Sequence, residues 1–205
     1  VNALTRFGAN PGKAHWNAAC YLSRFLKGTA EQGLLLGDNA EHCHSPNPRG
    51  LEVFCDASWA SNIDDRHSVS GYGFTYRGSL FAWWCRNQYL LAKSVFESEL
   101  IALYGGTTQL MWIRQLFYDF EVRIREPIIV YVDNQTTIDQ VTRHAITKRT
   151  RHINVRYFST AEYVSGKIIT LTKIASEENL ADIWTKNLPY ALHHKHSLRY
   201  MIPCL

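Results

Sequence analysis

The run Ile-Ile-Val-Tyr-Val at positions 128–132 constrains the fold more than any other part of this chain. Most of its residues are β-branched, and none of them is charged. Such a run is typical of a β-strand that is buried on both faces of its sheet. The sheet therefore needs cover on both sides, and 205 residues with 46% hydrophobic content are enough to supply it.

The elements around this strand follow a definite order. Three strand-like segments come first, the last two joined by a tight turn at 77–79, and a long helix follows at about 95–120. After the buried strand, helical and strand patterns alternate to a last helix from about 178. The predicted order is βββαβαβα, with strands at 51–56, 71–76, 80–84, 127–133 and 167–174. This order predicts an α/β fold with a mixed five-stranded sheet flanked by helices.

The first fifty residues predict an appended piece. Asn10 and Pro11 suit the start of a helix, as N-cap and first helical residue, and Gly28 suits its end. A polar segment with Asn, Pro and His follows at 38–50 and is typical of a linker. We therefore predict a helical appendage with its linker at 1–49 and the α/β domain at 50–205.

Composition narrows the classes of protein that fit. Every apolar run is far shorter than the ~20 residues needed to cross a bilayer, which excludes an integral membrane protein. The start at Val1, without Met, suggests a piece of a longer protein. The net charge of +4 is compatible with a polyanionic partner.

Four acidic residues lie at informative places along the predicted elements, and two of them end strands, where α/β sheets bind ligands. Asp56 ends the first strand, Asp133 ends the buried strand, and Asp182 lies early in the last helix. Glu97, about 200° around the long helix from Glu99, should point away from the sheet. Glu99 begins the stripe that should face the sheet, which continues with Leu103, Gly106, Leu110, Ile113 and Phe117.

A carboxylate on a buried stripe is costly unless something compensates its charge. Clustered carboxylates imply divalent cations, and hard oxygen ligands suit Mg²⁺ or Mn²⁺ better than zinc. Two ions about 4 Å apart could activate a water and stabilise the leaving oxygen of a phosphodiester. The alternative is that Asp56 and Asp133 are turn residues, Asp182 a helix N-terminal charge, and Glu99 an edge residue.

A basic stretch lies between Asp139 and Glu162, where no acidic residue occurs. It is either a solvated face or a strip that contacts phosphates, and the absence of counter-charges favours the second interpretation. The predicted nucleic-acid-binding residues are Arg143, Lys148, Arg149, Arg151, His152 and Arg156.

These features together resemble ribonuclease H, and more closely the RNase H domain of copia-type LTR retrotransposon Pol polyproteins. The first fifty residues resemble the segment that connects the reverse transcriptase to this domain, through H-W-N-A-A-C-Y-L-S-R-F-L-K-G-T (15–29). The domain itself is matched by F-C-D-A-S-W-A (54–60), S-V-S-G-Y (68–72), S-E-L-I-A-L (98–103), Y-V-D-N-Q (131–135), T-R-H-I-N-V (150–155) and A-D-I-W-T-K-N-L-P (181–189).

The resemblance implies endonucleolytic cleavage of the RNA strand of RNA–DNA hybrids during reverse transcription, with two Mg²⁺ ions for which Mn²⁺ can substitute. It implies Asp56, Glu99, Asp133 and Asp182 as the catalytic and metal-binding residues. It also implies the reverse transcriptase domain of the same polyprotein as a partner, and a cytoplasmic virus-like particle, or the nucleus, as the location. One feature departs from the pattern: cellular RNases H carry a His in the loop before the last Asp, and residues 173–178 contain none.

Two other functions stay open at this point. Integrases of the same fold family carry their acids in the order D-D-E, whereas the order here is D-E-D-D, which favours RNase H over another nuclease of this fold. A non-catalytic, host-adopted domain that only binds nucleic acid is the second alternative, and the presence of all four acids argues against it.

Overall fold

The structure of the chain, a computed structural model, describes residues 2–37, 50–143 and 154–203. The strands are β1 (Gln32–Leu34), β2 (Leu51–Ser58), β3 (Val69–Tyr76), β4 (Ser79–Asn87), β5 (Ile128–Val132), β6 (Ile169–Lys173) and β7 (Met201–Pro203). The centre of the fold is a five-stranded sheet in which β2 pairs antiparallel with β3 and parallel with β5. The strand order across this sheet is β4-β3-β2-β5-β6.

Helices cover both faces of this sheet. One face carries α3 (Val95–Asp119), with α4 (Gln135–Thr142) and α5 (Asn154–Ser165) beside it. The other face carries α6 (Asp182–Thr185), followed by α7 (Tyr190–Ser197). The element order confirms the predicted mixed α/β fold. Among the described residues, no helix combines the length and hydropathy that crossing a membrane requires.

The apolar run at 128–132 contributes to two separate cores. Ile128, Val130 and Val132 are fully buried in the core between the sheet and α3. Tyr131 points to the opposite face, where it stacks on Phe54 with ring centroids 4.8 Å apart. The run is therefore a strand buried on both faces, as its sequence predicts.

Two predicted helix boundaries are wrong. The helix α2 (Lys13–Gly28) begins after Gly12 instead of Asn10, because the His15 imidazole accepts a hydrogen bond from the Gly12 N–H at 2.9 Å and closes the first turn there. The last helix is not continuous either. It breaks after Thr185, since Pro189 disfavours helical backbone just before it, and the chain restarts as α7.

The amino-terminal piece is more than a helical appendage. After α1 (Asn2–Thr5) and α2, the short strand β1 pairs antiparallel with the carboxyl-terminal β7. The Leu35 N–H donates to the Tyr200 carbonyl at 3.0 Å, and the Ser79 hydroxyl donates to the Gly37 carbonyl at 2.8 Å. These contacts attach the piece to the domain, and the proposed boundary at 49/50, which falls outside the described residues on its amino-terminal side, stays a prediction.

His196 of α7 should make the fold sensitive to acid. Its ring is fully buried, and neither ring nitrogen has a partner within the described part of the chain. Burial, with the charges of Arg199 and Lys195, lowers the pKa of His196 to about 4. The unfolded chain takes up this proton near pH 6.5, so the stabilisation is complete above pH 6.5 and is lost as the pH falls towards 4.

We therefore expect His196→Leu to remove up to about 3 kcal/mol of acid-induced destabilisation between pH 6.5 and 4. Urea unfolding at several pH values measures this difference. The matched control is His194→Leu on the exposed side of the same helix, which should leave the pH dependence as it is. Parallel pH profiles for the parent and His196→Leu would contradict the prediction.

Candidate active site

The parallel pairing of β2 and β5 brings two of the predicted acids to one edge of the sheet. Cys55 is opposite Val132 in this pairing; Asp56 is the next residue of β2, which continues to Ser58, and Asp133 directly follows the last residue of β5. The Asp56 side chain is fully buried, whereas the Asp133 side chain is half-buried. Of these two acids, Asp133 is therefore the one that solvent reaches.

The first turns of α3 supply the third acid. Ser94 caps this helix by accepting a hydrogen bond from the Glu97 N–H at 3.1 Å, which fixes where the helix begins. Glu99 is only 5% exposed. One carboxylate oxygen from each of Asp56, Glu99 and Asp133 lies within 4.8 Å of the other two. The structure therefore brings these three predicted site residues together.

Glu97 is off the site, as predicted, but it is not exposed. Its carboxylate accepts a hydrogen bond from the Lys93 N–H at 2.8 Å, and the side chain is 7% exposed. Together with the bond from the Glu97 N–H to the Ser94 hydroxyl, this contact stabilises the start of α3. Glu97 therefore has a structural role at the helix terminus.

Within the three-acid group, the charge of Glu99 is the poorly compensated one. Burial, together with the charges of Asp56 and Asp133, raises the pKa of Glu99 to about 9. Its Oε2 atom is buried and has no hydrogen-bond partner within the described residues. A buried carboxylate oxygen without a donor, beside two further carboxylates, is the environment that a divalent cation completes. The donor set is all oxygen, which fits Mg²⁺ or Mn²⁺.

Asp182 reaches the group through a lysine instead of joining it directly. The Lys186 ammonium lies 3.0 Å from Asp56 Oδ1 and 2.7 Å from Asp182 Oδ1, so it bridges the two carboxylates. Burial and the charge of Asp56 raise the pKa of Asp182 to about 6. Burial opposes the charged form of Lys186, but the charges of Asp56 and Asp182 outweigh it and raise the pKa of the lysine.

Three more side chains hold the acids in place. The Thr185 hydroxyl donates to Asp56 Oδ2, and the Ser176 hydroxyl donates to Asp133 Oδ2 at 2.9 Å. Lys173 donates to the backbone carbonyl of Asp133. The segment 173–178, which lacks the loop His of cellular RNases H, thus contacts Asp133 through Lys173 and Ser176. The site predicted from the sequence did not include Thr185, Ser176 or Lys186.

Two glycines of β3 allow α6 to approach the sheet closely. A Cβ atom at Gly71 would lie 2.5 Å from the Thr185 side chain, and one at Gly73 would lie 2.2 Å from the Trp184 indole. Real Cβ atoms do not tolerate such distances. Gly71 is also the register partner of Asp56. The absence of side chains at these two positions therefore sets how near Asp182 and Lys186 come to Asp56.

The predicted basic strip is mostly beyond what the structure describes. Arg143 caps the carboxyl end of α4, is exposed, and pairs with Asp139 at 3.8 Å. Four of the other predicted residues lie outside the described part of the chain: Lys148, Arg149, Arg151 and His152. Arg156 lies in α5, and its side chain is outside what the structure describes. Their contact with phosphates stays a prediction.

Comparison with known proteins is consistent with this geometry. No protein-family model matches the chain. The retrovirus-related Pol polyprotein from transposon TNT 1-94 of Nicotiana tabacum is 34% identical over 189 residues, 92% of this chain and 14% of that polyprotein. The polyprotein from transposon RE2 of Arabidopsis thaliana is 26% identical over 188 residues, 92% of this chain and 12% of that polyprotein. The chain therefore spans a small part of the length of these relatives.

One solved structure supports the fold. LC11-RNase H1, isolated from compost by a metagenomic approach, matches with a TM-score of 0.50 and 15% identity. The match covers 67% of this chain and 93% of that one. At this identity the likeness concerns the fold alone, and it confirms the predicted RNase H-like arrangement of the sheet and helices.

Proposed function

Since this chain belongs to the Pol polyproteins of copia-type retrotransposons, of which it is one segment, we propose that it is their ribonuclease H. In this proposal it hydrolyses the RNA strand of RNA–DNA hybrids by endonucleolytic cleavage. The proposed catalytic and metal-binding residues are Asp56, Glu99, Asp133 and Asp182. The observation that carries the proposal is the convergence of Asp56, Glu99 and Asp133 within 4.8 Å at the end of two parallel strands.

The metal requirement follows from the same group. Asp56, Glu99 and Asp133 would hold one Mg²⁺ ion, with Glu99 Oε2 as a donor that is otherwise unpartnered among the described residues. Asp56 and Asp182 would hold the second, and Mn²⁺ would substitute in both places. Divalent ions bound there would supply an activated water and stabilise the charge of the leaving oxygen.

The chain's own residues prepare this site in definite ways. The Thr185 hydroxyl and the Lys186 ammonium orient the two oxygens of Asp56. Ser176 orients Asp133, the half-buried acid, which in this proposal is the one that a substrate phosphate approaches. Burial behind Asp56 and Glu99 keeps bulk water from the inner side, which strengthens electrostatic interactions within the site.

The proposed partners follow from the family. The substrate is an RNA–DNA hybrid formed in reverse transcription, and the reverse transcriptase domain of the same polyprotein is the protein partner. We place this activity in the cytoplasmic virus-like particle of the element, with the nucleus as the alternative compartment.

A cleavage assay on matched duplexes tests the proposal. The full chain is incubated with RNA–DNA hybrid, double-stranded RNA and double-stranded DNA of one sequence, with Mg²⁺, with Mn²⁺ and with a chelator. We expect internal cuts in the RNA strand of the hybrid alone, and none with the chelator. Cutting of all duplexes would favour another nuclease of this fold, and binding of hybrid without cleavage would favour a host-adopted binding domain.

The basic strip should contribute to substrate affinity and leave the chemistry alone. Neutralising Lys148, Arg149 and Arg151 together is expected to raise the apparent KM for hybrid, because fewer counterions are released when the substrate binds. The slope of log affinity against log salt should flatten by about two to three. The maximal rate at saturating hybrid should change little.

A salt titration of hybrid affinity on the parent and the triple variant measures this slope. The control neutralises Arg123, Arg125 and Lys167, which have exposed or half-buried side chains elsewhere on the domain. Equal slopes in the parent and the strip variant would mean that the strip is a solvated face.

A further inference from the structure

In the proposed site, a side chain of the protein itself stands at the position of the second cation. The Lys186 ammonium stands between Asp56 Oδ1 and Asp182 Oδ1, at 3.0 and 2.7 Å. Its backbone N–H also bonds to the Asp182 carbonyl at 3.0 Å, since Lys186 caps the end of α6. The lysine is thus fixed at its base, and only its side chain is free to change place.

The contacts of Lys186 differ from those of the other lysine near the site. Lys173 donates to the backbone carbonyl of Asp133, and within the described part of the chain it forms no ion pair with any of the four carboxylates. Lys186 is the cation that satisfies two of these carboxylates at once. Its side chain is 34% exposed, whereas the Asp56 side chain is not exposed at all. A path from the acid pair to solvent is therefore open to the ammonium.

We propose that Lys186 is a built-in counterion that occupies the place of the second divalent ion until the anionic substrate draws it away. This inference rests on the proposed function. Without nucleic acid, the chain binds one ion at Asp56, Glu99 and Asp133. The second ion enters between Asp56 and Asp182 when the lysine turns to a substrate phosphate. Lys186 acts through the acids and is a positioning residue.

The arrangement has a physical reason. Four carboxylates in one site repel each other, and the lysine ammonium stabilises them even when no metal ion is bound. A phosphate backbone offers the same ammonium an alternative anion, so substrate binding and binding of the second ion favour each other. The fold then keeps the geometry of its acids without metal, and both divalent ions are bound only when substrate is present.

Counting bound ions tests the proposal without measuring activity. Mn²⁺ is titrated into the full chain and followed by calorimetry and by electron paramagnetic resonance. We expect one ion per parent chain, and two when the chain is saturated with a hybrid whose RNA strand carries 2′-O-methyl groups and resists cleavage. Two ions of similar affinity in the parent without nucleic acid would overturn the proposal.

Variants of the lysine add a second test. Lys186→Met removes the charge at similar length and should bind two ions without nucleic acid, the second at least tenfold more tightly than in the parent. Lys186→Arg keeps the charge and should bind one. The control Lys173→Met should also bind one. Parent-like counts in a folded Lys186→Met chain would refute the inference.

The outcomes separate this inference from the proposed function. A chain that cleaves no hybrid, yet gains the second ion in Lys186→Met, would contradict the function and support the counterion. A chain that cleaves hybrid, yet binds two ions without it, would do the reverse. If Lys186→Met does not fold without metal, the hybrid-dependent count on the parent chain still decides.

Discussion

The Asp133→Asn variant is expected to lose hybrid cleavage by roughly 10³-fold at saturating Mg²⁺, which corresponds to about 4 kcal/mol of transition-state stabilisation. The substitution removes one of the three carboxylates that meet within 4.8 Å and so removes a metal ligand. It also relieves the repulsion on Glu99, whose raised pKa arises in part from the charge of Asp133. The variant should therefore fold, and its metal-free form should be at least as stable as the parent.

Single-turnover cleavage and thermal unfolding, each with and without Mg²⁺, measure the two effects separately. The matched control compares Glu99→Gln with Glu97→Gln. Glu99→Gln should behave like Asp133→Asn, whereas Glu97→Gln should be much milder, because a Gln at this position keeps the helix cap and lies outside the acid group. Parent-like cleavage by Asp133→Asn at saturating Mg²⁺ would refute the assignment of this residue.

Gly73→Ala is expected to damage the site although the register partner of Gly73 on β2 is Phe54 and not one of the acids. The added Cβ would lie 2.2 Å from the Trp184 indole, which is rigid and must move away. Trp184 belongs to α6, the helix that carries Asp182 and is followed by Lys186. Overpacking of this kind costs about 1–3 kcal/mol of folding free energy. The displacement of α6 should lower cleavage on the order of 10- to 100-fold, beyond the effect of any unfolded fraction.

A double-mutant cycle tests whether this contact is the cause. Trp184→Leu alone should destabilise by cavity formation, but in combination with Gly73→Ala the two changes should cost less than their sum. Urea unfolding and cleavage rate are measured on all four proteins. Gly28→Ala is the control glycine, since its added Cβ would meet no atom of the described residues within 4 Å apart from its chain neighbours and its own helix backbone. Additive effects of Gly73→Ala and Trp184→Leu would show that the indole is not what the methyl group displaces.

The acids could be predicted from the sequence where a local pattern locates them. The contacts that depend on the tertiary fold could not. Asp56 lies near the end of β2, Asp133 directly follows β5, and Glu99 lies on a helical stripe, so a two-residue or 3.6-residue period is enough to locate them. The role of Gly73 depends on an indole far along the chain, and no local period contains it. For Lys186 the sequence does contain one local signal. It lies four residues after Asp182, which is the spacing of neighbouring side chains on one face of a helix.

The same distinction explains the errors in the fold. The strands β1 and β7 have three residues each, too few for an alternating pattern to be recognised, and they exist because they pair with each other. The break after α6 did have a local signal in Pro189, which the prediction of one continuous last helix ignored. The start of α2 depended on a side-chain bond of His15 that competes with the Asn-Pro pair before it.

The pairing of Gln32–Leu34 with Met201–Pro203 joins nearly opposite ends of the described chain without a covalent bond. A cut in the backbone between residues 37 and 50 would therefore leave two fragments that are still hydrogen-bonded to each other. Conversely, a shortened protein that starts at Gly50 would lack the partner of β7 and present an open strand edge at its carboxyl terminus. Strand pairing therefore defines the unit to express and to engineer. This unit includes Gln32–Leu34, which a boundary placed at the polar linker would leave out.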